Sequence, residues 1–170
     1  MATEVFLALG SNLGDSIQIL KLASAKLANI SKSKPILSSI WRSVPEGFSK
    51  KVPDFFNAVA CLSVEISAEV MLSKVLSLEK RLGRERDNKL ENYSSRSIDI
   101  DIVDFGGLIY RSEKLILPHP RAHKRQFVLR PLQEIRPDFH FPHLTVSLEE
   151  LICRAEDNKM ERVSQLIPLE

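Results

Sequence analysis

The sequence predicts a single α+β domain over residues 1–170, in which an antiparallel sheet carries helices on one face and leaves the other face for a ligand. A chain of 170 residues suits one compact domain. Hydrophobic residues make up 44% and charged residues 27%, which is typical of a packed globular protein. The predicted elements follow the order strand, helix, strand, strand, helix, strand. This order is the split pattern of ferredoxin-like folds.

The first strand and the first helix follow from local patterns. Glu4 to Leu9 is a short apolar run that Gly10 ends, which is typical of a strand. Asp15 or Ser16 can cap a helix running to about Ile30, because the apolar residues after them recur at helical spacing.

Two strands separated by a loop are predicted next. Pro35 to Ser43, with Ile36, Ile40 and Trp41 as apolar members, is predicted to be the second strand. Ser43 to Pro53 is rich in proline and glycine and is predicted to be a loop. The apolar run from Phe55 to Ile66 is predicted to be the third strand.

A second helix and a fourth strand complete the pattern. Ser67 can cap a helix from about Ala68 to Leu82, which Gly83 ends. The charged stretch from Arg84 to Ser95 is predicted to be a mobile loop, and Ser97 to Phe105 is predicted to be the fourth strand.

Shorter elements are predicted around this unit. They are a strand near Leu108 to Tyr110, a loop from Leu117 to Arg125, a helix near Gln126 to Ile135 and a final helix around Ser147 to Ala155.

Composition excludes several classes of protein. The net charge of +2 is too small to indicate a nucleic-acid binder. No apolar run approaches the ~20 residues that span a membrane, and no signal peptide is visible. Cys61 and Cys153 lie among apolar residues without zinc-binding spacing, so both are predicted to be buried, reduced thiols. We expect a cytoplasmic protein that acts on small molecules as a monomer, with a weak dimer as the alternative.

A pair of acids in the fourth strand is the most informative local pattern. Alternate residues of a strand share a face, so Asp99 and Asp101 lie together, opposite the isoleucines that alternate with them. Their Cα atoms would be roughly 6.5–7 Å apart, and a cation would relieve the repulsion between the carboxylates. Mg²⁺ takes one or two carboxylates and completes its shell with phosphate oxygens. The alternative is a solvent-facing strand with two ordinary acids.

Asp104 breaks the alternation and is interpreted as a strand-end residue on the opposite face of a regular strand.

Basic residues cluster on both sides of this acidic strand in the sequence. Guanidinium groups beside a magnesium site suit phosphate chemistry, because they stay charged and donate in pairs. Each basic residue is also compatible with an ordinary surface position. The candidates are Arg84, Arg86, Arg96, Lys114, His119, Arg121, His123, Lys124 and Arg125.

The glycine-rich turn after the first strand does not form a phosphate-binding loop of the P-loop type. Gly10 to Gly14 lies between a strand and a helix, but the Gly-Lys-Ser/Thr ending of that motif is missing. We therefore interpret it as a tight turn near a ligand.

Two phenylalanines and an amide indicate a second kind of ligand. Phe55 and Phe127 are compatible with core positions, as for any phenylalanine. Asn57 shares a face with Phe55 in a regular strand, and a buried amide requires partners. A heteroaromatic ring with nitrogen atoms could supply them.

Together these segments resemble the 6-hydroxymethyl-7,8-dihydropterin pyrophosphokinase family. The matching pieces, in the order of the family, are LALGSNLGD, SSIWRSVPEG, PDFFNAV, LEKRLGRER, RSIDIDIVDFGG and LPHPRAHKRQFVLRPLQEIRPDF. The resemblance extends from about Val5 to Leu151. It implies one pyrophosphokinase domain with a ferredoxin-like α+β fold, in agreement with the predicted order of elements.

The resemblance also implies a role for each candidate residue. Asp99 and Asp101 would hold two Mg²⁺ ions that bridge the phosphates of ATP, the co-substrate, while Arg84 and Arg96 would stabilise charge in the transition state. The triphosphate and nucleotide would lie along Arg86, Lys114, His119, Arg121 and Arg125, with Glu79 close by and Leu72 and Ile102 at the adenine end. Phe55 and Phe127 would enclose the pterin ring, whose edges would meet Asn57 and backbone groups near Ser43, Val44 and Glu46.

The sequence departs from the commonest family pattern just before the acidic strand. Many members have Arg-Trp-Gly-Pro-Arg where this chain has Asn92-Tyr93-Ser94-Ser95-Arg96. Tyr93 can still stack over a ligand as an aromatic lid. Without the Gly-Pro pair, the loop is expected to close in a different way.

The reaction implied by the resemblance is attack of the pterin hydroxyl on the β-phosphorus of ATP, with AMP as the leaving group. Asp101 and a water on the metal are the two candidates for the general base. One alternative function is a non-catalytic ferredoxin-like module that binds a nucleotide or a pterin. A second is a metal-dependent nucleotidyl cyclase or nuclease, which would not require Phe55, Asn57 and Phe127.

Overall fold

The computed structural model describes residues 1–45, 52–83, 97–156 and 159–168. The strands are β1 (Thr3–Ser11), β2 (Ile36–Leu37), β3 (Ser39–Ser43), β4 (Phe55–Val64), β5 (Asp99–Phe105), β6 (Tyr110–Arg111), β7 (Ile116–Leu117) and β8 (Glu161–Gln165). The helices are α1 (Ser16–Ala28), α2 (Ala68–Arg81), α3 (Gln126–Ile135) and α4 (Leu148–Arg154), with a 3₁₀ turn at Ala122–Lys124. Among the described helices, none combines the length and the hydrophobicity that crossing a bilayer requires.

The main sheet is antiparallel and has the strand order β5-β1-β4-β3-β8, with β2 also pairing with β4. The two strands that flank β1 are therefore the third and the fourth of the predicted pattern. This arrangement confirms the ferredoxin-like α+β fold, and it makes β5, the strand with the acids, an outer strand of the sheet.

Helices α1 and α2 cover one face of the sheet and build the larger core. Asp15 caps α1 by accepting a hydrogen bond from Gln18 N, and Ser67 caps α2 by accepting one from Val70 N, as predicted. Gly83 follows α2 with φ +95°, a conformation that favours glycine. The isoleucines of β5 pack into this core together with the apolar faces of both helices.

The other face of the sheet is divided between helices and a cleft. Residues of α3 and α4 pack there with Phe6, Val59 and Val103 in a second apolar cluster. The end of the sheet near Gly10 and Asp99 is left open to the cleft. The expectation of helices on one face therefore describes α1 and α2, whereas the helices that follow β5 cover part of the ligand face.

Two predicted elements differ in detail, and one further strand was not predicted. The second strand is interrupted at Ser38, whose hydroxyl accepts a hydrogen bond from Val59 N at 2.9 Å and donates one to Ser39 O at 2.8 Å. The strand expected at Leu108 to Tyr110 begins at Tyr110 and pairs with β7. Strand β8 was not predicted, because all of its residues are exposed and give no apolar alternation.

Asp104 lies on the face opposite to the predicted one. The pairing of β5 with β1 changes register between Phe6 and Leu7, so β5 is not regular. Asp104 consequently lies opposite Phe6. The ring of Phe6 packs edge-on against the ring of Phe139, with the two ring centroids 4.9 Å apart. It is 4% exposed, and its Oδ2 accepts a hydrogen bond from Gly107 N at 2.9 Å.

The two cysteines are free thiols, but only one has the predicted environment. Cys61 is buried, whereas Cys153 is exposed. The apolar neighbours of Cys153 in the sequence point into the cluster under α4, and Cys153 itself lies on the outer side of that helix. The prediction that Cys153 is buried is therefore wrong.

Candidate active site

The two acids of β5 project into the cleft because the residues between them belong to the core. Ile98, Ile100 and Ile102 are all buried against α1 and α2. Asp99 and Asp101 alternate with these isoleucines, so their side chains project from the opposite face of the sheet. Both line the cleft there. The side chain of Asp101 is 39% exposed, so its carboxylate is accessible from the cleft.

Two basic side chains face Asp101 from the segment that precedes α3. His119 Nε2 lies 3.6 Å from Asp101 Oδ2, and Arg125 Nη1 lies 3.9 Å from the same oxygen. The backbone N–H of His119 donates to Val103 O at 2.9 Å, which attaches this segment to the outer edge of β5. The basic residues after β7 are therefore fixed beside the acids.

The imidazole of His119 is oriented by its own turn. Its Nδ1 accepts a hydrogen bond from Arg121 N at 3.2 Å, so Nε2 carries the proton in the neutral ring and faces Asp101. Burial lowers the pKa of His119, and the charges of Arg125 and Arg121 add to this effect, while the Asp101 and Asp99 carboxylates oppose it. The neutral form is therefore favoured, and it can still donate towards Asp101.

A glycine forms the floor between the acids and the amide. Gly10 of β1 pairs with Asp99 on one side and with Asn57 on the other, so the three residues form one row across the sheet. A Cβ atom built on Gly10 would lie 3.3 Å from Asn57 Oδ1. A ligand can therefore approach the backbone between the acids and the amide, as glycine in a strand often permits.

The amide end of this row is rigid and borders two aromatic rings. Asn57 is 4% exposed, and its Nδ2 donates to Ser43 Oγ at 2.9 Å. Phe55 and Phe127 both line the cleft and are partly buried. The guanidinium of Arg125 lies 5.4 Å from the centre of the Phe127 ring, which links this end to the acids.

Most of the predicted site residues line this one cleft. They are Ser43, Val44, Phe55, Asn57, Leu72, Glu79, Asp99, Asp101, Ile102, Lys114, His119, Arg121, Arg125 and Phe127. The other predicted site residues, Glu46, Arg84, Arg86, Tyr93 and Arg96, lie outside the described residues, as does the predicted loop from Arg84 to Ser95.

Two features of the cleft were not recognised from the sequence. Gly10 is predicted to end a strand and to begin a tight turn near a ligand, whereas it lies within β1 and pairs with both Asp99 and Asn57. A glycine inside a strand can signal close approach of a ligand. Glu79 was expected near a nucleotide, but its hydrogen bond to the backbone of β5 was not anticipated. No local pattern reveals a contact between residues 21 positions apart.

The donors in the cleft fit a magnesium ion that shares its ligands with phosphate. Within the described ranges, no group of three or more His, Cys, Asp or Glu side chains is arranged to hold a metal ion. Asp99 and Asp101 instead offer two oxygen donors on one face, at an accessible position. Mg²⁺ is commonly held by one or two carboxylates plus substrate phosphates, so this pair of carboxylates provides suitable protein ligands for it.

The fold and the cleft define a class: a ferredoxin-like α+β protein with paired acids and paired aromatic rings in one ligand site. A family model described as 7,8-dihydro-6-hydroxymethylpterin-pyrophosphokinase matches residues 6–137. The chain belongs to this family.

Individual relatives agree with this assignment. The 2-amino-4-hydroxy-6-hydroxymethyldihydropteridine pyrophosphokinase of Haemophilus influenzae is 33% identical over 160 residues, which cover 94% of this chain and 97% of that protein. The folic acid synthesis protein fol1 of Pneumocystis carinii is 35% identical over 159 residues, which cover 94% of this chain but 21% of that protein.

A solved structure supports the fold. The crystal structure of Plasmodium falciparum HPPK-DHPS matches with a TM-score of 0.71 and 15% identity, over 91% of this chain and 45% of that chain. This chain therefore spans less than half the length of that protein.

Proposed function

We propose that this protein transfers the pyrophosphoryl group of ATP to the hydroxymethyl group of 6-hydroxymethyl-7,8-dihydropterin, a step in folate biosynthesis. The products are AMP and the pterin diphosphate. The observation that carries the proposal is the row Asp99, Gly10 and Asn57, which joins an acidic pair to an amide and aromatic site on one cleft floor. Membership of the pyrophosphokinase family supports the same activity.

Asp99 and Asp101 are proposed to bind two Mg²⁺ ions together with the phosphates of ATP. When bound, Mg²⁺ offsets the repulsion between phosphates and stabilises charge that develops on their oxygens. His119 and Arg125 lie beside Asp101, where they are proposed to orient its carboxylate, and Arg125 is proposed to extend the positive surface along the triphosphate. Lys114, Arg121 and Arg86 are proposed to continue that surface, with Leu72, Glu79 and Ile102 around the nucleotide.

The pterin is proposed to bind at the amide end. Phe55 and Phe127 line the cleft there and offer ring faces to a flat heterocycle. Ser43 accepts a hydrogen bond from Asn57 Nδ2, so Asn57 Oδ1 is directed towards the floor at Gly10, where it can accept a hydrogen bond from the ring edge. Backbone groups of Ser43, Val44 and Glu46 are proposed to bind the rest of that edge, with Tyr93 as an aromatic lid.

The chemistry requires alignment more than it requires a protein nucleophile. The pterin oxygen forms a bond to the β-phosphorus, and the bond from that phosphorus to the oxygen of AMP breaks. The hydroxyl proton passes to a base, for which Asp101 and a water molecule are the two candidates. Holding hydroxyl and phosphorus at attack distance can supply up to ~7–11 kcal/mol of the barrier reduction. Arg84 and Arg96 are proposed to stabilise the charge that develops during transfer.

The proposal is tested by AMP release from ATP, measured with and without the hydroxymethyl dihydropterin and with and without Mg²⁺. We expect AMP and the pterin diphosphate in equal amounts, only when pterin and Mg²⁺ are both present. Binding of both ligands without AMP release would identify a non-catalytic module. Loss of ATP without pterin would identify a cyclase or nuclease and would contradict the proposal.

A further inference from the structure

Glu79 joins helix α2 to the strand that carries the two acids. Its Oε1 accepts a hydrogen bond from Ile100 N at 2.7 Å. Ile100 lies between Asp99 and Asp101, so the bonded peptide separates the two carboxylates. Glu79 is 2% exposed, which is unusual for a glutamate.

The position of β5 in the sheet explains why this contact is required. Strand β5 is an outer strand of the sheet and pairs with β1 on one side. The N–H groups of successive strand residues point to alternate sides, so every second N–H of an outer strand lacks a strand partner. The Ile100 N–H is buried beneath α2, away from solvent, and the Glu79 carboxylate supplies its acceptor.

Packing alone does not define the direction of the two acids. Ile100 and Ile102 pack with Leu78 and other core residues, which fixes the strand against the helix. The orientation of the peptide before Ile100 sets the direction of Asp99 relative to Asp101, and pairing with β1 holds this peptide from one side. The Glu79 acceptor, 2.7 Å from Ile100 N, holds the peptide from the other side, because hydrogen bonds of this length are directional.

We propose that Glu79 is a positioning residue, which holds the peptide between Asp99 and Asp101 so that both carboxylates face one metal–nucleotide complex. This inference rests on the proposed function, since it assigns a purpose to the spacing of the acids. It differs from a direct nucleotide contact, because the Glu79 oxygen acts through the backbone of β5. Outer groups that orient metal ligands commonly change metal affinity when they are mutated.

The test uses the full chain with Mn²⁺ as the probe for Mg²⁺ and a non-hydrolysable ATP analogue. Electron paramagnetic resonance measures Mn²⁺ affinity, and hydrogen exchange of the Ile100 amide in the ligand-free protein measures the hydrogen bond itself. Glu79→Gln keeps an acceptor of the same shape, whereas Glu79→Met removes it. Leu78→Ala is the matched control, because it weakens the same helix–strand packing without touching the hydrogen bond.

We expect Glu79→Gln to retain Mn²⁺–nucleotide affinity within about threefold and Glu79→Met to lose about 10- to 100-fold. Leu78→Ala should lower the unfolding temperature but leave affinity within about twofold. Exchange at Ile100 should accelerate in Glu79→Met and remain slow in Glu79→Gln. If Glu79→Met does not fold, the Gln variant decides: slow Ile100 exchange with retained Mn²⁺–nucleotide affinity supports the inference, and slow exchange with a loss of about tenfold or more in affinity overturns it.

Two results would overturn the inference. Wild-type Mn²⁺–nucleotide affinity in Glu79→Met would show that the acids need no such support, and equal losses in the Gln and Met variants would show that charge rather than the hydrogen bond matters. Failure of the proposed function has a different signature. In that case the wild-type protein would not form AMP in a pterin-dependent manner, whatever the Glu79 variants do to Mn²⁺ binding.

Discussion

Gly10 and Asn57 are paired across β1 and β4, and a methyl group on Gly10 would lie 3.3 Å from Asn57 Oδ1. Because Gly10 is also paired with Asp99, the same missing side chain opens the route from the amide to the acids. The floor of the cleft is therefore a backbone surface between the proposed pterin and phosphate positions.

Gly10→Ala should weaken pterin binding selectively. The added methyl would displace the Asn57 carboxamide by a few tenths of an ångström and occupy the space above the floor. We expect pterin affinity to fall about tenfold, or ~1.4 kcal/mol, with nucleotide affinity within about twofold. Calorimetric titration with each ligand checks this. Gly107 lies outside the cleft, so the control variant Gly107→Ala should leave both affinities unchanged. Equal losses of pterin and nucleotide affinity in Gly10→Ala would contradict the proposed arrangement.

Alanine at Asp99 or Asp101 should abolish most turnover while the fold persists. Both carboxylates leave the sheet on the cleft side, so their removal creates no cavity in the core. We expect turnover to fall by roughly three orders of magnitude or more, with a similar unfolding temperature, because the metal-bound carboxylates support the electrostatic stabilisation of the transition state. Asp104→Asn is the control on the same strand and should keep turnover within about twofold. Wild-type turnover in either alanine variant would remove the metal-binding role.

The stability contributed by Asp104 should depend on pH. Burial raises the pKa of Asp104, and the Glu4 charge adds to this, while the hydrogen bond from Gly107 opposes it. When the pKa of a carboxyl group is higher in the folded protein than in the unfolded protein, its contribution to stability is fully present at pH values below the pKa of the unfolded state. This contribution is lost as the pH rises through the pKa of the folded state.

Asp104→Asn removes that charge but keeps an acceptor for Gly107 N. The unfolding free energy of the variant relative to wild type should therefore increase between pH 3 and pH 7, by on the order of 1 kcal/mol. Urea unfolding of both proteins across this range measures the difference. A difference independent of pH would show that burial does not disfavour the charged form.

Arg96→Ala should lower turnover more than it lowers pterin affinity. The expectation follows from the proposed role of this guanidinium, which is to stabilise charge on the transferring phosphate rather than to contact the ring. We expect a loss of roughly 10²-fold or more in turnover with pterin affinity within about threefold. Arg111→Ala, at an exposed hairpin position, is the control. Unchanged turnover with a large loss of pterin affinity would contradict the role.

Glu134 should be important for stability because it joins α3 to strand β3 of the sheet. Its carboxylate accepts hydrogen bonds from Ser39 N at 3.1 Å, Ser39 Oγ at 2.6 Å and Trp41 Nε1 at 3.1 Å. We expect Glu134→Ala to reduce the unfolding free energy by about 2–3 kcal/mol, since three donors lose their acceptor. Denaturant unfolding tests this, with the exposed Glu149→Ala as control. A loss below about 0.5 kcal/mol would contradict it.

Much of the fold could be predicted because local patterns and tertiary packing agree. In β5, the isoleucines at alternate positions enter the core, and the acids between them face the cleft as the alternation indicated. The caps Asp15 and Ser67 act as predicted, since a capping side chain bonds the backbone only three residues away.

The errors arise where a distant partner decides the outcome. The register shift at Phe6 turns Asp104 to the other face, and it depends on how β1 and β5 pair. Strand β8 forms against β3 although none of its side chains is buried, so no apolar pattern marks it. The contact of Glu79 with Ile100 likewise joins two elements whose relative position is set by the whole core.

The most direct test of the account is a crystal structure of the protein with Mg²⁺, a non-hydrolysable ATP analogue and the hydroxymethyl dihydropterin. We expect two metal ions held by Asp99 and Asp101 against the phosphates, and the pterin ring between Phe55 and Phe127 with its edge on Asn57. Bare carboxylates at Asp99 and Asp101 in the presence of bound nucleotide would contradict the account.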